Sequence, residues 1–161
     1  HINFLYQFNT DLRDKIKVRF HSDENYDGDY SDIFLEKYPS LNISHSKYIY
    51  DEYSKSKIVI STYNGTTHLE TLSLDIPTLV YWKPEFNEIN QEAEKYYQQL
   101  YEVNIFHHDE ESAANFLINN WNNIDLWWES EKVRRVRNNF SRRYCNLHGD
   151  LEKGLLNILD K

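Results

Sequence analysis

The stretch that most constrains the fold of this chain is KIVISTYNGTTHLETLSLDIPTLVYW, from Lys57 to Trp82. It predicts a buried strand at residues 58–60, a polar loop, a short helix and a second buried strand at 78–82. Unbroken β-branched and apolar runs are typical of parallel strands that are covered on both faces. Pro77 ends the helix, because proline disfavours the helical conformation of the residue before it. Ligands of parallel sheets bind beyond the carboxyl ends of the strands, near helix N-termini. Residues 61–67 are therefore the candidate site.

Hydrophobic spacing along the rest of the chain predicts further helices and strands in alternation. Such alternation requires crossover connections and therefore a parallel sheet. We expect an α/β fold with a three-layer Rossmann-like parallel sheet and extra C-terminal helices, in a single domain over residues 1–161. Trp121, Trp127 and Trp128 should pack where two helices meet. The predicted helices are 3–14, 46–56, 84–103, 110–121, 129–144 and 150–160, and one more helix begins at a cap formed by Asp29 or Ser31 and ends at Lys37. The further predicted strands are 17–21, 42–44 and 104–106.

Charge and composition exclude several classes of function. A formal net charge of −8 argues against a general nucleic-acid binder, since phosphate neutralisation requires an excess of Lys and Arg. Cys145 is the single cysteine, so a reducing compartment is expected. No apolar run approaches the ~18 residues of a membrane span, and no signal peptide is visible. We expect a cytoplasmic protein and, because His1 precedes a helical pattern directly, a fragment of a longer chain.

The loop at residues 61–67 has two interpretations, and the residues alone do not choose between them. Thr67 and Glu70 match the capping box, in which each side chain satisfies a backbone donor of the other. Alternatively, a phosphate binds the N–H groups of Gly65, Thr66 and Thr67, and Glu70 accepts from ribose hydroxyls. The glycine patterns of dinucleotide-binding folds and of P-loops are both missing from the sequence.

Residues 22–32 contain part of a calcium-binding pattern. Asp23, Asn25, Asp27 and Gly28 match positions one, three, five and six of an EF-hand loop. Position twelve requires glutamate, but Phe34 occupies it, and the segment before the loop is a predicted strand rather than a helix. A solvated acidic turn is the favoured interpretation, and we predict no metal site.

Two polar clusters follow predicted strands. Arg19 and His21 lie at the end of the first strand, at the same sheet edge as residues 61–67, so both are candidate ligand contacts. Residues 107–109 (His-His-Asp) follow the strand at 104–106. Their spacing lacks the helical i,i+4 ligand pair of many metal sites, so a surface loop is favoured over a metal centre.

The predicted helix at 129–144 is strongly basic, with six Lys and Arg residues against one acid between Glu131 and Tyr144. Such a face can meet anionic lipid headgroups or a polyanionic acceptor. The alternative is an ordinary solvated helix face, which we favour.

Three segments resemble one bacterial family: VISTYNGTTHLETLSLDIPTLVYW, NIFHHDEESAANFLINNWNNIDLWW and VRRVRNNFSRRY. They resemble the surface-carbohydrate transferases often called the Leptospira-type transferase family. More loosely, they are similar to the C-terminal, donor-binding half of GT-B glycosyltransferases. The resemblance covers the chain from about Lys17 to Tyr144. Its most specific parts are TYNGTTHLE and the Trp-Trp pair, and the spacing from Glu70 to Pro77 recurs in GT-B enzymes.

The resemblance implies a domain that binds a nucleotide-activated sugar. Phosphates would lie at Asn64, Gly65, Thr66 and Thr67, and Glu70 would contact the ribose. His21 resembles the His-Pro element that ends an early strand in polysialyl-, Kdo- and polyol-phosphate-type transferases, although Ser22 replaces the proline. The catalytic base would belong to an N-terminal domain that this chain lacks.

The expected function is therefore sugar transfer from a nucleotide-activated donor to a bacterial surface glycan, with the donor as substrate and no cofactor. The expected partners are the donor, the glycan acceptor and the N-terminal domain, with peripheral contact at the inner face of an anionic membrane. Two alternatives stay open: transfer of a polyol phosphate from a CDP-linked donor, and a non-catalytic nucleotide-binding or interaction module. Fold class alone does not separate them.

Overall fold

The computed structural model describes residues 2–20, 30–83, 85 and 89–145. The predicted helix at 150–160 lies outside these residues. The strands are β1 (Lys17–Val18), β2 (Asn42–Ile43), β3 (Val59–Ser61), β4 (Thr78–Tyr81) and β5 (Phe106–His107). The helices are α1 (Ile2–Tyr6), α2 (Thr10–Arg13), α3 (Tyr30–Lys37), α4 (Ile49–Tyr53), α5 (Thr66–Ser73), α6 (Gln91–Glu102), α7 (Glu110–Asn120), α8 (Ile124–Trp128) and α9 (Glu131–Tyr144), with a 3-10 turn at Trp121–Asn123 between α7 and α8.

The strands pair in parallel, which confirms the predicted α/β class. β1 pairs with β2, and β3, β4 and β5 form a second ladder in that order. Within the described residues there are thus two small sheets, where we expected one three-layer Rossmann-like sheet. β1 and β2 are each two residues long and incompletely buried, so few of their backbone groups are placed to extend a ladder.

β4 is buried along its whole length and separates two clusters of apolar side chains. Val80 and the following Trp82 pack on one face with side chains of α5, α6 and α9. Leu79 and Tyr81 pack on the other face with α1 and α7. Successive strand residues point to opposite faces, so one apolar run contributes to both clusters. Helices therefore cover both faces of the three-stranded sheet, in agreement with the unbroken apolar pattern of this strand.

Residues 3–14, which we predicted as one helix, form the two short helices α1 and α2. Asn9 begins α2 by accepting a hydrogen bond from the Leu12 N–H at 3.0 Å. Asparagine favours such caps over helix interiors, because its side chain competes for backbone donors. Phe4 and Leu5 are nevertheless buried. The apolar spacing thus predicts correctly that these residues are buried. The prediction that residues 3–14 form one continuous helix is wrong.

α6 also starts later than predicted, because Asn90 caps it by accepting from the Glu92 N–H at 2.9 Å. Pro84 and residues 86–88, at the predicted start, lie outside the described residues. α6 has 12 residues and α9 has 14. In the part of the chain that the structure describes, every helix is too short or too polar to cross a membrane.

α5 and α6 each end with a non-glycine residue in the left-handed backbone region. Asp75 has φ of 59° and Asn104 has φ of 60°. Beyond α6, the Ile105 N–H bonds back to the Leu100 carbonyl at 2.9 Å, which is the Schellman arrangement. Glycine usually occupies this position, and Asp and Asn tolerate it better than other side chains. α5 thus ends just before Pro77, as the sequence predicts.

Arg137 fastens α9 to the rest of the fold and is buried although it is basic. Its guanidinium donates to the Trp128 carbonyl at 3.1 Å, pairs with the Asp75 carboxylate at 2.9 Å and lies 4.4 Å from the centre of the Trp128 ring. Trp127 packs against both apolar clusters, which confirms the predicted meeting point of helices. We expected the basic residues of the helix at 129–144 to be solvated, and for Arg137 this expectation is wrong.

Candidate functional site

The candidate site is the loop that joins β3 to α5, at the carboxyl edge of the three-stranded sheet. Gly65 is the N-cap of α5, which begins at Thr66. A helix leaves the N–H groups of its first turn without intrahelical acceptors, and Gly65 has no side chain that could accept from them. The N–H groups of Thr66 and Thr67 therefore carry the partial positive charge of the helix start. This arrangement is typical of anion-binding positions.

The capping box that the sequence allows at Thr67 and Glu70 does not form. Thr67 lies inside the first turn of α5, beyond the cap at Gly65. Glu70 Oε2 instead accepts a hydrogen bond from the Tyr53 hydroxyl of α4 at 3.0 Å. Burial, and then the Glu70 carboxylate beside it, raise the pKa of Tyr53 above its usual range, while a hydrogen bond with Thr67 acts in the opposite direction. Tyr53 therefore stays protonated and joins Thr67 and Glu70 in one cluster.

α4 connects this cluster to the two-stranded sheet. Glu52, the neighbour of Tyr53, accepts from the Ser44 hydroxyl at 2.7 Å and pairs with the Lys17 ammonium at 3.0 Å. The hydrogen bond from Ser44, and then that from Lys17, lower the pKa of the Glu52 carboxyl. Two consecutive residues of α4 thus connect the sheets to the candidate site. Glu52 bonds to Lys17 of β1 and to Ser44, which follows β2, and Tyr53 bonds to Glu70 of α5.

Tyr63 covers the loop. Its ring occupies the space that a Cβ at Gly65 would need, so the close approach of ring to backbone requires glycine here. The Tyr63 carbonyl accepts from the Gly65 N–H at 3.0 Å and from the Ser61 hydroxyl at 3.2 Å. The Gly65 N–H, which we expected to face an anion, is therefore engaged within the loop. The Tyr63 side chain is 44% exposed.

The other predicted donor-site residues differ in placement. Asn64 lies exposed in the same loop as Gly65. Arg19 follows β1, and its guanidinium donates to the Ser46 carbonyl beyond β2 at 2.6 Å. Arg19 therefore lies at the carboxyl edge of the two-stranded sheet. Outside the described residues lie His21 and the calcium-pattern residues Asp23, Asn25 and Asp27.

His68 lies next to the candidate site, and its burial is a feature that sequence reasoning missed. It lies in the first turn of α5 and is fully buried, with its Nε2 2.8 Å from the Tyr97 hydroxyl. Among the described residues, its Nδ1 finds no hydrogen-bond partner. Burial lowers the pKa of His68 to about 4, so the imidazole is neutral near pH 7. Thr71 and Leu72 are also buried, and this i, i+3, i+4 spacing is the sequence signal that could have placed His68 in the core.

His107 also departs from expectation, because it belongs to β5, and the expected surface loop begins only at the exposed His108. His107 is buried in β5, and Nε2 donates to the Asn104 carbonyl at 3.2 Å. Nδ1 must then accept from the Ser112 hydroxyl, 2.8 Å away. Burial lowers the pKa of His107. Asp109 caps α7 by accepting from the Ser112 N–H at 2.7 Å. Across the described ranges, no group of three His, Cys, Asp or Glu side chains is arranged to hold a metal ion.

The geometry therefore places the N-terminus of α5, with its glycine cap, on the same helix as a carboxylate that Tyr53 holds. A family model described as LIC12162 family transferase matches residues 1–159, almost the entire chain. The chain belongs to the LIC12162 family of transferases. Membership in the LIC12162 family confirms the transferase part of the resemblance found in the sequence. A comparison with curated proteins and one with solved structures gave no match.

Proposed function

We propose that this LIC12162 family member is the donor-binding part of a glycosyltransferase, which moves a sugar from a nucleotide-activated donor to a bacterial surface glycan. The observation that carries the proposal is the position of Glu70. Its carboxylate lies one turn inside α5, held by Tyr53, while the start of the same helix has a glycine cap. A carboxylate that is free of the capping role is available to a ligand at the helix start.

In the proposed complex, the donor phosphates lie at the N–H groups of Thr66 and Thr67, with the Thr66 hydroxyl as a further donor. These groups are oriented before the reaction, so they stabilise negative charge that develops on the leaving phosphate without reorganisation. The partial charge at the helix start favours the same negative charge.

Glu70 would accept hydrogen bonds from the ribose hydroxyls and so fix the orientation of the nucleotide. The hydrogen bond from Tyr53 limits the rotamers of Glu70, which lowers the entropy lost on binding. Asn64, Arg19 and His21 complete the proposed donor contacts. The catalytic base and the acceptor site belong, in this proposal, to an N-terminal domain, and the enzyme works in the cytoplasm at the inner face of the membrane.

The test is a titration of the chain with CMP, CDP, UDP and GDP, followed by backbone amide NMR shifts. We expect one nucleotide to shift residues 62–70. Glu70→Gln should weaken the binding of that nucleotide by about tenfold, which corresponds to the loss of one hydrogen bond to a charged group. Glu110→Gln, at the N-terminus of α7, is the matched control and should leave the affinity unchanged.

Two results would contradict the proposal. One is the failure of all four nucleotides to shift residues 62–70 at millimolar concentration. The other is a Glu70→Gln variant that loses stability but keeps the wild-type affinity, since Glu70 would then act on the fold alone. If CDP is the nucleotide that binds, analysis of the reaction product decides between sugar transfer and polyol-phosphate transfer.

A further inference from the structure

The basic residues of α9 fall into two sets with different surroundings. The first set is neutralised within the fold: Arg134 pairs with Glu129 at 2.6 Å, and Arg143 lies 3.7 Å from Glu92. Arg137 is buried in its ion pair with Asp75. These contacts account for one part of the charge that the sequence places on this helix.

The second set lines a groove between α6 and α9. Lys132, Arg135 and Arg142 are exposed and share the wall of a cavity of about 620 Å³. Asn139 lies between them, and the spacing 132, 135, 139 and 142 places the four side chains on one stripe of the helix. Ten residues of helix extend for about 15 Å, so the cations are spread along the groove rather than gathered at one point.

The opposite wall is polar and holds the groove in shape. Gln99 of α6 accepts a hydrogen bond from Asn139 Nδ2 at 3.0 Å, and the Glu102 carbonyl accepts from Lys132 Nζ at 3.4 Å. Glu102 contributes the single carboxylate among the lining residues, against three cations. The groove is therefore locally positive in a chain whose net charge is −8.

We propose that this groove binds a ligand that bears at least two phosphate groups. Arg135 and Arg142 are two helical turns apart, so each guanidinium can take a separate phosphate, and a guanidinium matches phosphate oxygens in bidentate geometry. A membrane surface fits less well. Val136 is the one apolar lining residue, and it is buried, so the groove offers no exposed apolar side chain that could enter a bilayer.

The test is a titration of the full chain with inorganic tripolyphosphate, whose terminal phosphates are separated by a third, followed by NMR, with orthophosphate as the comparison. We expect tripolyphosphate to shift residues 99–102 and 132–142 and to bind at least about tenfold more tightly than orthophosphate. Arg135→Gln and Arg142→Gln should each weaken the binding of tripolyphosphate by about tenfold. Arg134→Gln removes the same charge from the same helix outside the groove, and should leave the affinity within about twofold.

Three results would overturn the proposal. Shifts confined to residues 62–70 would assign the phosphate affinity to the loop before α5 alone. Equal weakening by Arg134→Gln and Arg135→Gln would indicate a general charge effect. Binding to vesicles that contain phosphatidylglycerol, without binding to tripolyphosphate, would make the groove a membrane contact. The location of the shifts also separates this test from that of the nucleotide site, so that either proposal can fail alone.

Discussion

The burial of His68 predicts a specific loss of stability in acid. The imidazole is fully buried on α5 among Trp82, Tyr97 and Phe140, and burial lowers its pKa from 6.5 to about 4. Between these two values the unfolded chain binds a proton at His68 and the folded chain does not. The contribution of neutral His68 to the free energy of unfolding is therefore fully present above pH 6.5 and is lost progressively as the pH falls towards 4.

The size of the effect follows from the difference between the two pKa values. Each pKa unit corresponds to about 1.4 kcal/mol, so the shift of His68 from 6.5 to about 4 is worth about 3 kcal/mol. Most of this should be lost between pH 7 and pH 4.5. A loss of that size is large against the total free energy of unfolding of a typical domain, about 5–15 kcal/mol.

The assay is denaturant unfolding at a series of pH values, followed by tryptophan fluorescence, for the wild type and for His68→Gln. Glutamine retains a polar group within reach of the Tyr97 hydroxyl but does not titrate, so the variant should lack about 3 kcal/mol of the wild-type pH dependence. His107 is also buried with a lowered pKa. It contacts Phe116 on the other face of the sheet, so the effects of His107→Gln and His68→Gln should add.

The reasoning would be refuted if His68→Gln kept the full wild-type dependence on pH between 6.5 and 4. In that case the acid sensitivity would arise from other groups, such as His107 or the carboxylates. A variant that lost stability equally at every pH would show that His68 matters for packing but not through its proton.

Two further predictions concern the packing of the fold. Arg137→Lys should lower the free energy of unfolding by about 2 kcal/mol, because one ammonium cannot at once bond the Trp128 carbonyl, pair with Asp75 and cover the Trp128 ring. The exposed Arg134→Lys should cost less than about 0.5 kcal/mol, and equal losses in chemical denaturation would contradict this account. Asn104→Gly should be neutral or stabilise by about 0.5–1 kcal/mol, whereas Asn104→Ala should destabilise by about 1 kcal/mol, because residue 104 has φ of 60°. Thermal unfolding compares the two variants, and an alanine variant as stable as the glycine variant would disprove the backbone argument.

Most strands and helices from β3 to α9 were predictable in their order, because they rest on local patterns, but α8 was not predicted. The β-branched and apolar runs around β3 and β4 mark strands that helices cover, and Pro77 marks the end of α5. Element boundaries were less predictable. Asn9 and Asn90 each act as a helix cap, and the apolar spacing on either side of them gave no sign of the interruption.

The candidate site, too, was predictable in part. Its position after β3 follows from the rule for parallel sheets, and the glycine at its centre is visible in the sequence. The choice between a capping box and a free carboxylate was not predictable. It depends on Tyr53, which lies 17 residues before Glu70 and reaches it only because α4 packs beside α5.

The sequence by itself thus determined the α/β class, the parallel pairing of the strands and the place where a ligand is expected. These follow from periodicity and from turn residues, which act within a few positions of the chain. The tertiary structure decided which side chains are charged, neutral or paired. Burial keeps His68 neutral, with a hydrogen-bond partner, Tyr97, that lies 29 residues later in the chain. Asp75 and Trp128 make Arg137 a packing residue. Such states depend on burial and on partners that are distant in the chain, and folding alone brings those partners together.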